Sequence, residues 1–377
     1  KFSNFAIQNL FNPESYRIVP QGEGQTFSIN ARTNGVYYTS ASVSFLEPWL
    51  GGKRPNSLST SIFFASQTGY SDRYYQAYQN LYNTYYSYYA YSGNSNYLQQ
   101  LQESEADPNK YLRTFGVSLG YGKRLSWPDD YFSFYGELSY QLYMMKDWPY
   151  MILTDGNSHN LALNFQLSRS SIDNPIYTRR GSQFTIGLKI TPPYSLIRGT
   201  TDAQYAQMST TEKYNLLEYH KWRFSGKVFT PLTADSKLVL MARAAFGYLG
   251  HYNKNAKSPF ESFYMGGDGM SSYSSYSTEY ISMRGYQSGS LTPYDPATGR
   301  NMGYVYNKFT MELRYPIALE QNATIWALAF VEAGNCFADI KDYNPFNLKR
   351  SAGVGVRLFL PMFGLMGIDW GWGFDPI

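Results

Sequence analysis

The feature that most constrains this chain is an alternation of apolar and polar residues with a period of two, sustained for about ten residues at a time. In "SQFTIGLKIT", Phe184, Ile186, Leu188 and Ile190 share one face and Gln183, Thr185, Gly187 and Lys189 the other. In "KWRFSGKVF", Trp222, Phe224 and Val228 oppose Arg223, Ser225 and Lys227. "YFSFYGELSYQLY" sets Phe132, Phe134, Leu138, Tyr140 and Leu142 against Ser133, Tyr135, Glu137, Ser139 and Gln141. "NKFTMELRY" sets Phe309, Met311, Leu313 and Tyr315 against Lys308, Thr310, Glu312 and Arg314. Side chains alternate across a strand, so each segment reads as β.

The pattern places strands near residues 2–10, 25–33, 36–47, 57–67, 111–124, 131–145, 159–170, 182–192, 220–231, 237–249, 304–317, 323–337, 350–361 and 364–374. A water-soluble sandwich would also alternate, but its strands average about five or six residues. Strands of about ten residues suit a tilted crossing of a bilayer. The connections also alternate in length. Short turns such as "SWPDD", "LTADS", "LEQN" and "PMFG" contrast with the excursion near 72–110, the loop from Pro193 to Tyr219 and the loop of 250–304. That asymmetry belongs to an outer-membrane barrel.

The faces agree with this reading. Lys or Arg on the lipid side costs about 2–4 kcal/mol at the midplane, and the outward sets above carry no charge. Lys189, Arg223, Lys227, Arg243, Glu312, Arg314, Arg357 and Asp369 all take the other phase, which predicts a polar, wet lumen. In "GLMGIDWGWGF", Met366, Ile368, Trp370, Trp372 and Phe374 point outward as an interfacial aromatic band, with Gly367, Gly371 and Gly373 inward. The chain has 38 Tyr, 24 Phe and 7 Trp with only 16% charged residues, below the roughly one quarter usual in soluble domains. No run approaches the ~18 apolar residues of a membrane helix, and the mean hydropathy is -0.42. The expected class is therefore all-β, a transmembrane antiparallel β-barrel occupying 1–377, with about fourteen strands represented. Neither end looks like a natural barrel terminus, so one strand is expected to be missing from each, and sixteen would complete an even-numbered barrel.

Catalytic chemistry is not visible. His159, His220 and His251 sit at strand or loop edges, with no HExxH, no G-x-S-x-G elbow and no P-loop. A lone Cys336 permits no internal disulfide. Neither an enzyme, a metal site nor a cofactor is expected. A net charge of +4 is no nucleic-acid footprint. The Tyr-rich 72–110 segment reads either as a partner-recognition surface or as a cap over the lumen.

A loop of some fifty residues is far longer than most connections in compact proteins. It contains "FYMGGDGMSSY" and "ISMRGY", and it is followed by "MELRYPI", "AFVEAGNCF" and "SAGVGVRLFLPMFGLMGIDWGWGF". In that order these segments resemble the sixth extracellular loop and closing strands of the BamA-type assembly-factor superfamily, which takes in TamA and the two-partner secretion translocators. The family motif is Val or Ile followed by Arg-Gly-Phe or Arg-Gly-Tyr. Here the motif is Met283, Arg284, Gly285 and Tyr286, with Met283 a departure that keeps the apolar character.

The resemblance implies that the loop folds into the lumen as a latch, where Arg284 meets Glu312 and Glu332. Phase alone places Glu312 inward; Glu332 lies in "TIWALAFVEAG", apolar on both faces. Tyr286 is either an apolar anchor or an interfacial aromatic. The resemblance further implies the membrane core of an assembly machine that folds and inserts barrels through a lateral seam. Its expected partners are unfolded outer-membrane barrel clients, accessory lipoproteins and the lipid bilayer, with periplasmic modules preceding Lys1. The rivals are a two-partner secretion translocator and a passive diffusion porin.

Overall fold

A computed structural model describes residues 1–17, 20, 22, 24–52, 56–70, 106–149, 151–268, 278–295, 299–320 and 322–377. The Tyr-rich segment lies outside the described residues up to 105. In chain order the strands are β1 (Phe2–Phe5), β2 (Gln25–Asn34), β3 (Tyr38–Glu47), β4 (Asn56–Tyr70), β5 (Ala106–Arg124), β6 (Phe132–Lys146), β7 (Gly156–Ser170), β8 (Gly181–Ile190), β9 (His220–Pro231) and β10 (Val239–Gly250). The long loop contributes β11 (Ser262–Met265), β12 (Thr278–Ile281), β13 (Tyr294–Asp295) and β14 (Arg300–Asn301). Then follow β15 (Val305–Leu319), β16 (Thr324–Phe337), β17 (Lys349–Leu360) and β18 (Gly364–Gly373).

One 14-stranded sheet contains β1 to β10 and β15 to β18, each strand neighbouring the next along the chain. Sequential up-and-down pairing follows from short turns on one side of the sheet, since a two- to five-residue turn can only join antiparallel neighbours. The expected strand positions agree with this sheet to within a few residues except at the start. There β1 leaves the ladder at Ala6, whose N–H bonds Pro20 O, and 3-10 turns occupy Ile7–Phe11 and Pro13–Ser15. The period-two reading of 2–10 fails because Asn12 and Pro13 favour turns, and Gln25 Oε1 takes the Ile7 N–H away from a ladder.

By contacts the chain forms two compact units. The first comprises 1–121, 138–161 and 207–217. It contains β1 to β4, where Phe5 stacks on Phe27 and edges Phe45, and Gln25 Nε2 donates to Glu47 Oε2 at 2.6 Å. The second comprises 122–137, 162–206 and 218–377, and holds the long loop with the strands around it.

In the second unit the two faces of the sheet separate as the alternation requires. Trp222, Phe224, Met311, Leu313, Val354, Ile368, Trp370 and Trp372 are exposed on the side away from the loop. The loop-bearing face differs from the expected wet lumen in one region. Tyr177, Phe229, Val239, Met241, Trp326, Leu328 and Phe330 form a buried apolar cluster there. Tyr177 reaches it from the connection between β7 and β8, and its hydroxyl donates to Lys237 O at 2.9 Å. Apolar residues on both faces of β16 thus have separate destinations, one outside and one under this cluster.

The loop 193–219, expected to be irregular, carries helices α1 (Tyr194–Arg198), α2 (Asp202–Gln207) and α3 (Thr210–Lys213). Ser209 and Glu212 form a reciprocal capping box at the start of α3, the Ser-x-x-Glu signature of a helix N-terminus.

Candidate functional site: the long loop and its anchors

The tip of the long loop is built before its arginine is placed. β11 and β12 pair in parallel, and beyond them Gly267 accepts from Met283 N at 2.8 Å while its own N–H bonds Tyr286 O at 3.0 Å. Met283 is 0% exposed, which explains why this position of the motif needs an apolar side chain. Gly285 has φ +89, and a Cβ there would stand 2.8 Å from the backbone carbon of Trp372 and 2.9 Å from Gly373 N. Only glycine fits both that conformation and that approach. The inward glycines of β18 leave the room: a Cβ on Gly371 would meet Gly285 N at 3.0 Å, and one on Gly373 would meet Tyr286 Cζ at 2.8 Å.

Arg284 then reaches three strands. Its backbone N–H donates to Glu332 Oε2 at 2.9 Å, and its Nε and Nη2 donate to Glu332 Oε1 at 3.1 and 2.7 Å. Nη2 also donates to Glu312 Oε1 at 2.8 Å, and Nη1 lies 3.5 Å from Asp369 Oδ2. The guanidinium plane sits 3.6 Å over the Phe330 ring. Fork geometry and weak hydration suit arginine to such a partly desolvated, multidentate, stacked position.

Each acid is shared. Lys308 Nζ lies 3.0 Å from Glu332 Oε1 and also donates to Ser282 O. Arg314 grips Glu312 Oε2 through Nε and Nη2 at 2.9 and 2.6 Å, and Arg357 grips Asp369 at 2.7 Å through each terminal nitrogen. Buried carboxylates are tolerable in these numbers because every one faces at least two cationic or hydroxyl donors.

Tyr286 is buried, and its hydroxyl is hydrogen-bonded within the protein. It donates to Arg350 O at 2.8 Å and accepts from Asp375 N at 3.2 Å, tying β17 to the segment after β18. Asp375 in turn bonds the Arg350 guanidinium at 2.8 Å, and that hydrogen bond holds its carboxyl down to about 2.

A second anchor of opposite polarity lies on the other side of the loop. Glu261 receives Lys189 Nζ at 2.5 Å and Lys221 Nζ at 3.1 Å, and Glu279 receives Lys221 Nζ at 2.7 Å. Burial alone would push the Glu261 carboxyl up, but the two lysines hold it down to about 2. Glu261 also adopts φ +69, a left-handed conformation unfavourable for a residue with a Cβ. The ion pairs keep the side chain there at the expense of backbone strain of roughly 1 kcal/mol.

The expected site residues Met283, Arg284, Gly285, Tyr286, Glu312 and Glu332 therefore lie together. Sequence reasoning missed Asp369, Lys308 and Phe330 as partners, although each shares the inward phase of its strand. It also missed Glu261 and Glu279, whose loop positions have no periodicity to read. Among the described residues no group of three His, Cys, Asp or Glu side chains could hold a metal ion.

The Omp85 superfamily domain matches residues 21–376. The chain belongs to the Omp85 superfamily. Its fold class is the antiparallel transmembrane β-barrel, and it is an integral protein of the outer membrane, crossed by strands. Among solved structures it is similar to BamA from Haemophilus ducreyi lacking POTRA domains 1-3, with a TM-score of 0.61 and 16% identity over 95% of this chain and 62% of that one. It is also similar to CdiB from Escherichia coli, with a TM-score of 0.50 and 10% identity over 90% of this chain and 49% of that one. This Omp85 chain thus spans less than two thirds of either protein. No curated protein sequence matches it.

Proposed function

We propose that this chain is the membrane core of an outer-membrane assembly machine, which folds and inserts other β-barrels without chemistry of its own. The observation that carries the reading is the loop latch, which holds the closing strands of the sheet from one side. The loop latch pins β15, β16 and β18 from inside through Arg284, and Tyr286 fastens β17 to the segment beyond β18.

A barrel seam that opens beside strands held in this way offers an edge whose backbone donors and acceptors an incoming strand can pair with by β-augmentation. A client barrel would grow at that edge while the latched strands keep their register. The clients are unfolded outer-membrane barrel proteins, the surroundings are the lipid bilayer, and accessory lipoproteins dock on the full-length protein.

The experiment is conditional depletion followed by quantitation of outer-membrane barrels. Insertase function predicts a general loss of barrels. A normal complement sinks the proposal, and the loss of one secreted protein with normal barrels points to the translocator branch of the superfamily.

A further inference from the structure

We infer that the inner face beside the long loop holds a binding site for a small phosphate-class oxyanion. A cavity of about 280 Å³ opens there, lined by Arg223, Arg243, Lys308, Glu279, Thr185 and Ser225 among others. The volume is at the low end for small-ligand sites and suits a phosphate or a compact phosphoester rather than a large metabolite.

The charge inventory asks for an anion. Lys227 and Arg243 are register partners on β9 and β10, so two like charges stand directly opposite each other, an arrangement that destabilises a sheet unless something neutralises it. Among the described residues neither forms an ion pair, and Arg243 Nε is buried in the cavity wall with no hydrogen-bond partner. A buried donor left unpaired is costly, the more so when it is charged.

Glu279, the acid of the cavity, does not remove the excess. It is taken by Lys221 at 2.7 Å and stands 3.7 Å from Arg223. Lys308 is committed to Glu332 at 3.0 Å. The uncommitted donor of the cavity wall is therefore the Arg243 guanidinium, with Lys227 opposite it on β9 and the Ser225 hydroxyl in the same wall. A tetrahedral oxyanion offers several acceptor oxygens to that set, and guanidinium is the side chain best matched to it.

The same strands turn their exposed apolar residues, Ile186, Phe224 and Val228, to the opposite face. A solute from the aqueous side, not a bilayer headgroup, is the occupant.

The test is calorimetric titration of the folded full chain in detergent with inorganic phosphate and with pyrophosphate, chloride being used to hold ionic strength constant. Saturable binding is expected, weakened about tenfold or more by Arg243→Gln and by Lys227→Gln. Both anions should raise the unfolding midpoint of the unsubstituted protein but not of the variants. Heat-modifiable migration on gels checks that each variant is folded, and Ser225→Ala gives a milder second variant should Arg243→Gln fail to fold. Absence of saturable binding, or equal binding by Arg243→Gln, overturns the site. Binding of soluble short-chain phosphatidic acid but not of phosphate or pyrophosphate overturns the aqueous source. The proposal is independent of the insertase reading, which the depletion experiment tests separately.

Discussion

Arg284 is the residue on which the loop turns, and its replacement tests more than one contact. Arg284→Ala would leave Glu332, buried with a side chain 1% exposed, short of its main counter-charge. Breaking a buried pair from one side costs about 3–5 kcal/mol, so the detergent-unfolding free energy should fall by about that amount. Arg284→Lys keeps the charge but loses the fork that spans Glu312 and Glu332 and the stack on Phe330. It should recover less than half of the loss, whereas a simple Coulombic role would be restored almost fully. Tyr286→Phe should cost about 1 kcal/mol, because one hydroxyl serves both Arg350 O and Asp375 N, and should raise amide exchange at Asp375 before other positions. Much of this was readable from residue order. Glu312 shares one phase with Thr310 and Arg314 on a strand with one clean polar face, so its direction follows from period two. Phe330 was unreadable because β16 is apolar on both faces; the ring's task, supporting a guanidinium at 3.6 Å, exists only when a distant loop supplies the cation.

At the level of elements, strands were legible because side-chain alternation is a local property, whereas the loop's second anchor was not, because Glu261 and Glu279 find Lys189 and Lys221 across many residues of sequence. The helix α3 had a local signal, the Ser209 to Glu212 capping box, hidden in a segment otherwise read as loop. The second anchor carries a pH dependence whose sign is fixed by Glu261. Its carboxyl lies near 2 in the folded protein against 4.5 ordinarily. A depressed carboxylate contributes stability above its unfolded value, and that contribution is lost as pH falls through the window from about 4.5 to about 2. Hydrogen-exchange protection of Ser258–Tyr264 should accordingly be flat from neutral pH to about 5 and decline below it. Glu261→Gln should lower protection at neutral pH and flatten the decline; an unchanged acid profile in that variant would show that other carboxylates govern the loop. Glu261→Gly separates the two contributions at this position, since it relieves the φ +69 backbone while deleting the ion pairs. A net loss of protection is expected, because two lysines, one of them Lys221 with a side chain 2% exposed, would lose a shared counter-charge.

For the whole molecule, the consequence of two anchors is that the loop is held from opposite sides by charges of opposite sense. Arg284 is a cation gripped by strand acids, and Glu261 and Glu279 are acids gripped by strand cations. Removing either anchor leaves the loop tethered by the other, so the single variants should change ion conduction through the reconstituted barrel little. Releasing Arg284 and Glu261 together leaves the Glu279–Lys221 and Lys257–Asp339 pairs to restrain the loop, and its tip can then shift on the inner face. Arg284→Ala combined with Glu261→Gln should therefore raise the open conductance in planar bilayers by more than the sum of the two single changes, the non-additivity expected of groups that restrain one element. The unsubstituted protein should give small, irregular currents, because charged side chains of the loop occupy the face that a diffusion pore would leave to water. A large and steady current before any substitution would mean that the loop does not obstruct the passage, and would favour a porin over a machine whose interior is kept shut while its edge works.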